Sequence, residues 1–389
     1  MRTVMKTFLT LALCLALAAP ALAETIKIGG LIDLSGPTSA VGRPYAEGLR
    51  AAAEYINAHG GVSGRQIEFL LQDTAYNPQQ GLALYKKFAT VDKVVAVQGF
   101  GTAVTEALVR FVAQDEIPNF SASYSAHLTD AAKAPYNFVI AADYSTQARA
   151  ALKYFKDNWK ESRAPRLALL YPNAPYGLAP IPAIKAYAKE LGFELVGEEN
   201  VDLKAIDATT QLLALKGKNP DYTWIGGTTP STAVIMKDAK KLGMKTTFFV
   251  DIWGADESLV QLAGDAAEGA VSLQAAAVYG QDVPGMKAIL EQTKNQPQMT
   301  HFIRGFASMM VMVEGMRQTL AKGPLTGKTL KETLETLRDY DPQGLTPKIS
   351  FLPGDHRPNM SVFLYKIQNG KLTFLSAQTL ERKAEWLGL

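Results

Sequence analysis

From residue 25 onward the chain alternates two hydrophobic patterns. Short runs rich in β-branched residues have the length of buried strands, and longer stretches with apolar residues every three or four positions have the helical period. "TIKIGGLID" predicts a strand, and "RPYAEGLRAAAEYINAHGG" a helix stopped by Gly60 and Gly61. "QIEFLLQD" predicts a strand and "PQQGLALYKKFAT" a helix opened by Pro78, a residue suited to a first turn. "VVAVQG", "TAVTEALVRFVAQDE" and "IPNFSAS" continue the series as strand, helix and strand. The cycle then restarts with "RLALLYP", a helix through "IPAIKAYAKELG", "FELVGEE", "DYTWIGG", the helix "STAVIMKDAKKLG" and "TTFFVD".

Strand-helix alternation of this kind predicts parallel sheets with helices on both faces, and two series predict two α/β lobes. A helical region over 284–338 and a β-rich tail, "KISF…SVFLYKIQNGKLTFL", remain to be shared between them. Parallel sheets place ligands at the carboxyl ends of their strands. "SASYSAHLTD", "GFGTAVTEA", "GGTTPST" and "VDIWGADES" all fall at such ends. The first carries three serines, a tyrosine, a histidine and a threonine. In a plain turn these would serve as caps; at the mouth of a sheet they suit a small polar head group, and their position favours that reading.

The first 23 residues change the setting. Arg2 and Lys6 precede an apolar run from Phe8 to Ala19 and then Ala21-Leu22-Ala23. A charged start, a short apolar stretch and a small-x-small site predict an export signal cleaved after Ala23. Cleavage leaves 366 residues, enough for two lobes, and removes Cys14, the one cysteine. Without thiols the exported chain has no disulfide and no thiolate ligand or nucleophile. No later segment approaches a membrane-spanning length.

Losing Arg2 and Lys6 also takes the formal charge from +3 to +1. There is no long basic block, which argues against nucleic acid as a partner. "GPLTGKT" is one residue short of a phosphate-binding loop, and Thr326 as the cap of a following helix explains it better. "GFGTAV" matches a dinucleotide fingerprint weakly. His59, His127, His301 and His356 are far apart, without metal-ligand spacing. His59 and His356 are expected in solvated turns, and His127 at a surface cap. There is no G-x-S-x-G elbow, and the acidic residues fall mostly on helix faces. No metal site or cofactor and no enzymatic activity is expected.

"IKIGGLIDLSGPTSAVGRPYAEGLRAAAEYINAHGGVSGRQIEFLLQDTAYNPQQ" resembles the start of the periplasmic leucine/isoleucine/valine-type solute-binding proteins of ABC importers. The similarity continues through "YPNAPYG", "NPDYTWIGGTTPSTAVIMKDAKKLG" and "LAGDAAEGA", nearly to the end of the chain. "LSGP", "INAHGG…GR" and "D…NP" together make the match specific. The resemblance implies a type I periplasmic-binding-protein fold: two Rossmann-like lobes joined by a three-strand hinge, with the ligand in the cleft between them. The crossings are expected near residues 140–144, 271–276 and 346–349. The first lobe would hold residues 24–141 and 276–346, and the second 142–275 and 347–389.

The resemblance also implies a site. A ligand carboxylate would be held by hydroxyls and backbone N–H groups at Thr102, Ala103, Ser123 and Ser125, chemistry that suits helix N-termini. Tyr176 and Thr228 match contacts on the second lobe. Amino-acid binders place an acid near "FFVDIWGADES" to pair with the α-ammonium, but this sequence puts Ile252 or Trp253 at that position and Asp251 beside it. A buried ammonium without an anion costs about several kcal/mol. Strand alternation sends residues 251 and 253 to one side. If Asp251 faces the cleft, the ligand is an amino acid. If Trp253 does, it joins Tyr124, Tyr144 and Tyr176 in a wall for a carboxylate with an apolar or aromatic body. A third option keeps Trp253 in the core and makes Asp251 a helix cap. Family members often carry a disulfide between the regions matching Ala75-Tyr76 and Phe100-Gly101, and both cysteines are absent here.

The function implied is that of the periplasmic binding component of a branched-chain amino-acid-type importer. It would capture a small ligand by lobe closure and act as a monomer that docks on a membrane permease with ATPase subunits. A ligand-sensing receptor module of the same fold is the alternative. It is disfavoured because no spanning segment or output domain follows the binding unit.

Overall fold

The computed structural model describes residues 24–389; the expected leader, with Cys14 and the cleavage point, lies outside the described residues. The chain begins as β1 (Ile26–Ile32), α1 (Ser39–Ala58), β2 (Ile67–Asp73), α2 (Pro78–Lys87), β3 (Ala96–Gly99), α3 (Thr102–Gln114), β4 (Asn119–Ser121) and β5 (Asn137–Phe138). These strands form a sheet in the order β2-β1-β3-β4-β5, with every pair parallel. Ile28, Leu31 and Ile32 are buried on both faces of β1, as in a sheet covered on both sides.

The second series is α4 (Tyr144–Asp157), β6 (Arg166–Tyr171), α5 (Pro175–Leu178), α6 (Ile181–Glu190), β7 (Glu194–Asn200), α7 (Thr209–Lys216), β8 (Tyr222–Ile225), α8 (Thr229–Lys241), β9 (Thr247–Val250), α9 (Glu257–Ala263) and β10 (Val271–Gln274). The chain ends with α10 (Met286–Gln292), α11 (Thr300–Leu320), α12 (Gly327–Leu334) and the hairpin β11 (Ser361–Gln368) and β12 (Lys371–Thr379). The second sheet runs β12-β11-β10-β9-β8-β6-β7. It is parallel from β7 to β10 and antiparallel at the hairpin edge. This mixed α/β architecture of two largely parallel sheets is the expected fold class. Strand β5 and helices α4, α5, α7 and α9 are additions to the sequence reading.

The specific motifs build the loops after β1 and β2. Buried Asp33 accepts hydrogen bonds from Gly36 N, Thr38 N and Thr38 Oγ1. Asp73 accepts from Leu34 N, Ser35 Oγ and Ala75 N. Asn77 caps α2 through Gln79 N and Gln80 N. Thr326 and Thr329 form the reciprocal cap that opens α12, so "GPLTGKT" is a helix start.

Helices α1 and α11 pack across the first sheet at backbone contact. A Cβ at Gly48 would stand 2.0 Å from Phe302 O, and one at Gly305 2.0 Å from Tyr45 O. The core around them takes in Ile349 and Phe351, whereas Met360 and Val362 belong to the core of the second sheet. The last passage between the sheets therefore follows Phe351 instead of falling at 346–349. Mutual hydrogen bonds between Tyr340 and Ile349, and one from Phe351 N to Leu337 O, hold the intervening stretch to the first sheet's side.

His356 lies on this passage and is buried, not solvated. Its ring stacks on Phe138 at 4.2 Å, with Nδ1 2.8 Å from Asn137 O and Nε2 3.0 Å from Glu335 Oε1. Two acceptors and an aromatic face explain why this residue leaves water. Among the described residues no helix is long and apolar enough to cross a membrane.

Candidate functional site

The two sheets meet at their carboxyl ends around one buried cavity. It receives Thr38 from the loop after β1, Tyr76 after β2, Phe100 and Thr102 after β3, and Ala122 after β4. Tyr144 at the start of α4, Tyr176 after β6, Thr228 after β8 and Trp253 after β9 close it from the other side. The volume open to the centre of a water-sized sphere is about 10 Å³, room for about one water. The lobes are thus shut, and the first core already includes Tyr176, Ile252 and Trp253 of the second half.

On the first wall Thr102, Ser123 and Ser125 are buried and gathered. Thr102 Oγ1 stands 2.8 Å from Ser123 Oγ and 3.2 Å from Ser125 Oγ, and the two serines are 3.3 Å apart. Behind them Ser121 Oγ accepts from Ser123 N and pairs with Thr105. Thr102 opens α3, whose N-cap, Gly101, offers no side chain, so first-turn N–H groups add donors and a favourable dipole. Ala103 stands second in α3; its side chain is not part of the lining, and it can contribute only backbone there. The Tyr76 ring covers Gly101, leaving a Cβ there 2.4 Å from Tyr76 Cε2. The loops after β2 and β3 thus touch through an aromatic side chain.

The second wall separates Asp251 from Trp253. Asp251 is buried outside the lining, with Oδ2 2.5 Å from Tyr176 Oη and Oδ1 accepting from Trp253 N at 3.0 Å. Burial raises its pKa to about 7 even against these donors. It is not a helix cap; Asp256 caps α9 through Ser258 N. Burial favours a neutral Asp256, but adjacent His301 and hydroxyl donors outweigh that and hold it at about 2. Tyr176 Oη also stands 2.9 Å from Gly227 O. Thr228 lines the cavity, and its hydroxyl has no partner among the described residues.

Trp253 reaches from the second sheet into the first lobe's aromatics. Its ring lies edge-on to Phe100 at 5.0 Å and to Tyr45 at 5.9 Å, and parallel to Tyr124 at 5.8 Å. Nε1 donates to Tyr144 Oη at 2.9 Å. Of the sequence candidates, Thr102, Tyr144, Tyr176, Thr228 and Trp253 line the cavity, with Ser123, Ser125 and Tyr124 directly behind them. His127 lies apart at the surface beside Glu106.

The sequence reading missed Thr38, Phe100 and, on α11, His301 and Arg304. Arg304 packs its guanidinium carbon 4.1 Å from the centre of the Trp253 ring. The signal was available. Arg304 is a lone cation in "HFIRGFASMMVMVEGM", a stretch apolar enough all round to be buried.

Two sheets whose strand ends close over one shared cavity define a cleft-type solute-binding protein. The chain belongs to the family described as "Periplasmic binding protein", whose profile matches residues 25–371. It is 28% identical over 298 residues to the Leu/Ile/Val-binding protein of Escherichia coli K12, covering 74% of this chain and 78% of that one. An ABC transporter substrate-binding protein from Aeropyrum pernix has a similar structure, with TM-score 0.87, 32% identity and coverage of 94% and 98%. A fatty acid ABC transporter substrate-binding protein from Thermomonospora curvata matches with TM-score 0.83 and 21% identity, over 92% and 93%. The role is that of a substrate-binding protein.

Proposed function

We propose that the protein traps a small carboxylate-bearing molecule with an apolar or aromatic body between its lobes. In the closed form it delivers that molecule to a membrane permease powered by ATPase subunits. It acts as an exported monomer cleaved after Ala23, and does no chemistry on its ligand.

The observation that carries the ligand class is the engagement of Asp251. Its oxygens face Tyr176 Oη and Trp253 N, and with a pKa of about 7 it is only partly charged at neutral pH. An α-ammonium would find no free anion in the lining, a loss of about several kcal/mol. A carboxylate meets the Thr102, Ser123 and Ser125 hydroxyls and the α3 N-terminus. The aromatic rings around Trp253 suit an apolar body. The relatives' printed names, Leu/Ile/Val for one and a fatty acid for another, have a carboxylate in common, and of the two only the fatty acid lacks the ammonium that this lining leaves unmatched.

A thermal-shift series on residues 24–389 with leucine, benzoate, hexanoate and a short amide tests this. A ligand at a hundredfold its dissociation constant adds about 2.7 kcal/mol. Benzoate or hexanoate should raise the midpoint. A rise with leucine alone would replace this reading with an amino-acid site.

A further inference from the structure

Arg304 lies on α11 behind the aromatic wall, fully buried. Nη2 contacts His301 Nδ1, while Nε and Nη1 have no partner among the described residues. The hydroxyl of Tyr124 likewise has none among the described residues, the Tyr45 hydroxyl faces Ser308, and both rings flank the same indole. Both phenols lie in the field of the Arg304 charge. The neighbouring acids are engaged elsewhere. Asp256 Oδ2 is 2.7 Å from His301 Nε2, and Asp251 is turned to Tyr176 and the Trp253 amide.

A buried cation with free N–H groups, beside two phenols able to donate, has no anionic partner of its own among the described residues. Leaving such groups unpaired is strongly unfavourable. Packing alone does not call for it, since Met309, Met312 and Met316 fill space on the same helix without charge. The geometry of guanidinium and hydroxyls suits a carboxylate. Trp253 lines the cavity and carries Arg304 against its ring, so only the indole stands between the guanidinium and the cleft, and its displacement would join the two.

Resting on the reading of the cleft as a carboxylate site, we propose that Arg304, Tyr45 and Tyr124 form a second anion site, covered here by the Trp253 indole. The ligand class is then a dicarboxylate with an apolar or aromatic body. One acid group lies on Thr102, Ser123 and Ser125, and the other on Arg304.

Calorimetry on residues 24–389 with matched pairs tests this: terephthalate against benzoate, and adipate against hexanoate. In the wild type a diacid should bind at least about tenfold tighter than its monoacid. Arg304→Met should bring that ratio near one, and Tyr45→Phe combined with Tyr124→Phe should reduce it. A wild-type protein that binds the monoacids but prefers neither diacid overturns the second site and leaves the carboxylate cleft standing. Binding of leucine with no response to any acid overturns the cleft reading itself. Should Arg304→Met not fold, the wild-type ratios and the double tyrosine variant still decide.

Discussion

The Tyr176 hydroxyl stands 2.5 Å from Asp251 Oδ2, while Trp253, two residues on, faces the cavity. The acid positions a tyrosine and the indole lines the cavity. Trp253→Ala should therefore weaken benzoate binding by about 2–3 kcal/mol. Asp251→Asn, which keeps an acceptor for Tyr176, should cost less than about 1 kcal/mol. Calorimetry on both variants checks the ranking, and the reverse order would make Asp251 the ligand's partner.

Asp251 also predicts a pH dependence. Burial places its folded pKa at about 7, above that of the unfolded chain, so the folded state binds the extra proton. Stability from this group is greatest below about pH 4 and falls as pH rises to about 7, by on the order of a few kcal/mol. Asp251→Asn should flatten that slope and gain on the wild type at pH 8. Urea unfolding at pH 5 and pH 8 reads the difference, and parallel behaviour of the two proteins would contradict it.

Thr102 joins Ser123 and Ser125 at the head of α3. Thr102→Val keeps the shape and removes the hydroxyl, and should cost a bound carboxylate about 1.5–3 kcal/mol. The affinity of a neutral amide of the same body should fall less. An equal loss for acid and amide would mean that the hydroxyl serves packing, not charge.

Gly101 has φ of 84° and lies under the Tyr76 ring. Gly101→Ala meets a left-handed backbone and an occupied space together, and should destabilise the fold by about 1–3 kcal/mol. Denaturant midpoints measure this. An unchanged midpoint would show that the Tyr76 loop yields freely.

The order of strands and helices was legible because each short apolar run and each amphipathic stretch carries its own period. Converging strand ends marked the polar loops, and the resemblance to the family is what put the hydroxyls at 102, 123 and 125 together. The motifs that identify the family act mainly in the scaffold: Asp33, Asp73 and Asn77 fasten loops. What stayed hidden depends on pairings far apart in sequence. Nothing near His356 foretells its stacking on Phe138, and nothing near residue 253 names Arg304 as its neighbour. Helix α9 begins at an Asp256 cap within a polar stretch that reads as a loop. Whether Asp251 or Trp253 lines the cavity turned on a bend after β9, where strand alternation ceases to apply.

Gly48 and Gly305 bring α1 and α11 to backbone contact, which makes Tyr45 and Arg304 parts of one stiff plate. The facing wall is the tongue that bears Trp253, and on the proposed lobe opening it would draw back with the second half of the chain. Selectivity then resides in how far that tongue retreats, and substitutions that loosen residues 251–256 should broaden the range of molecules accepted before they unsettle the plate.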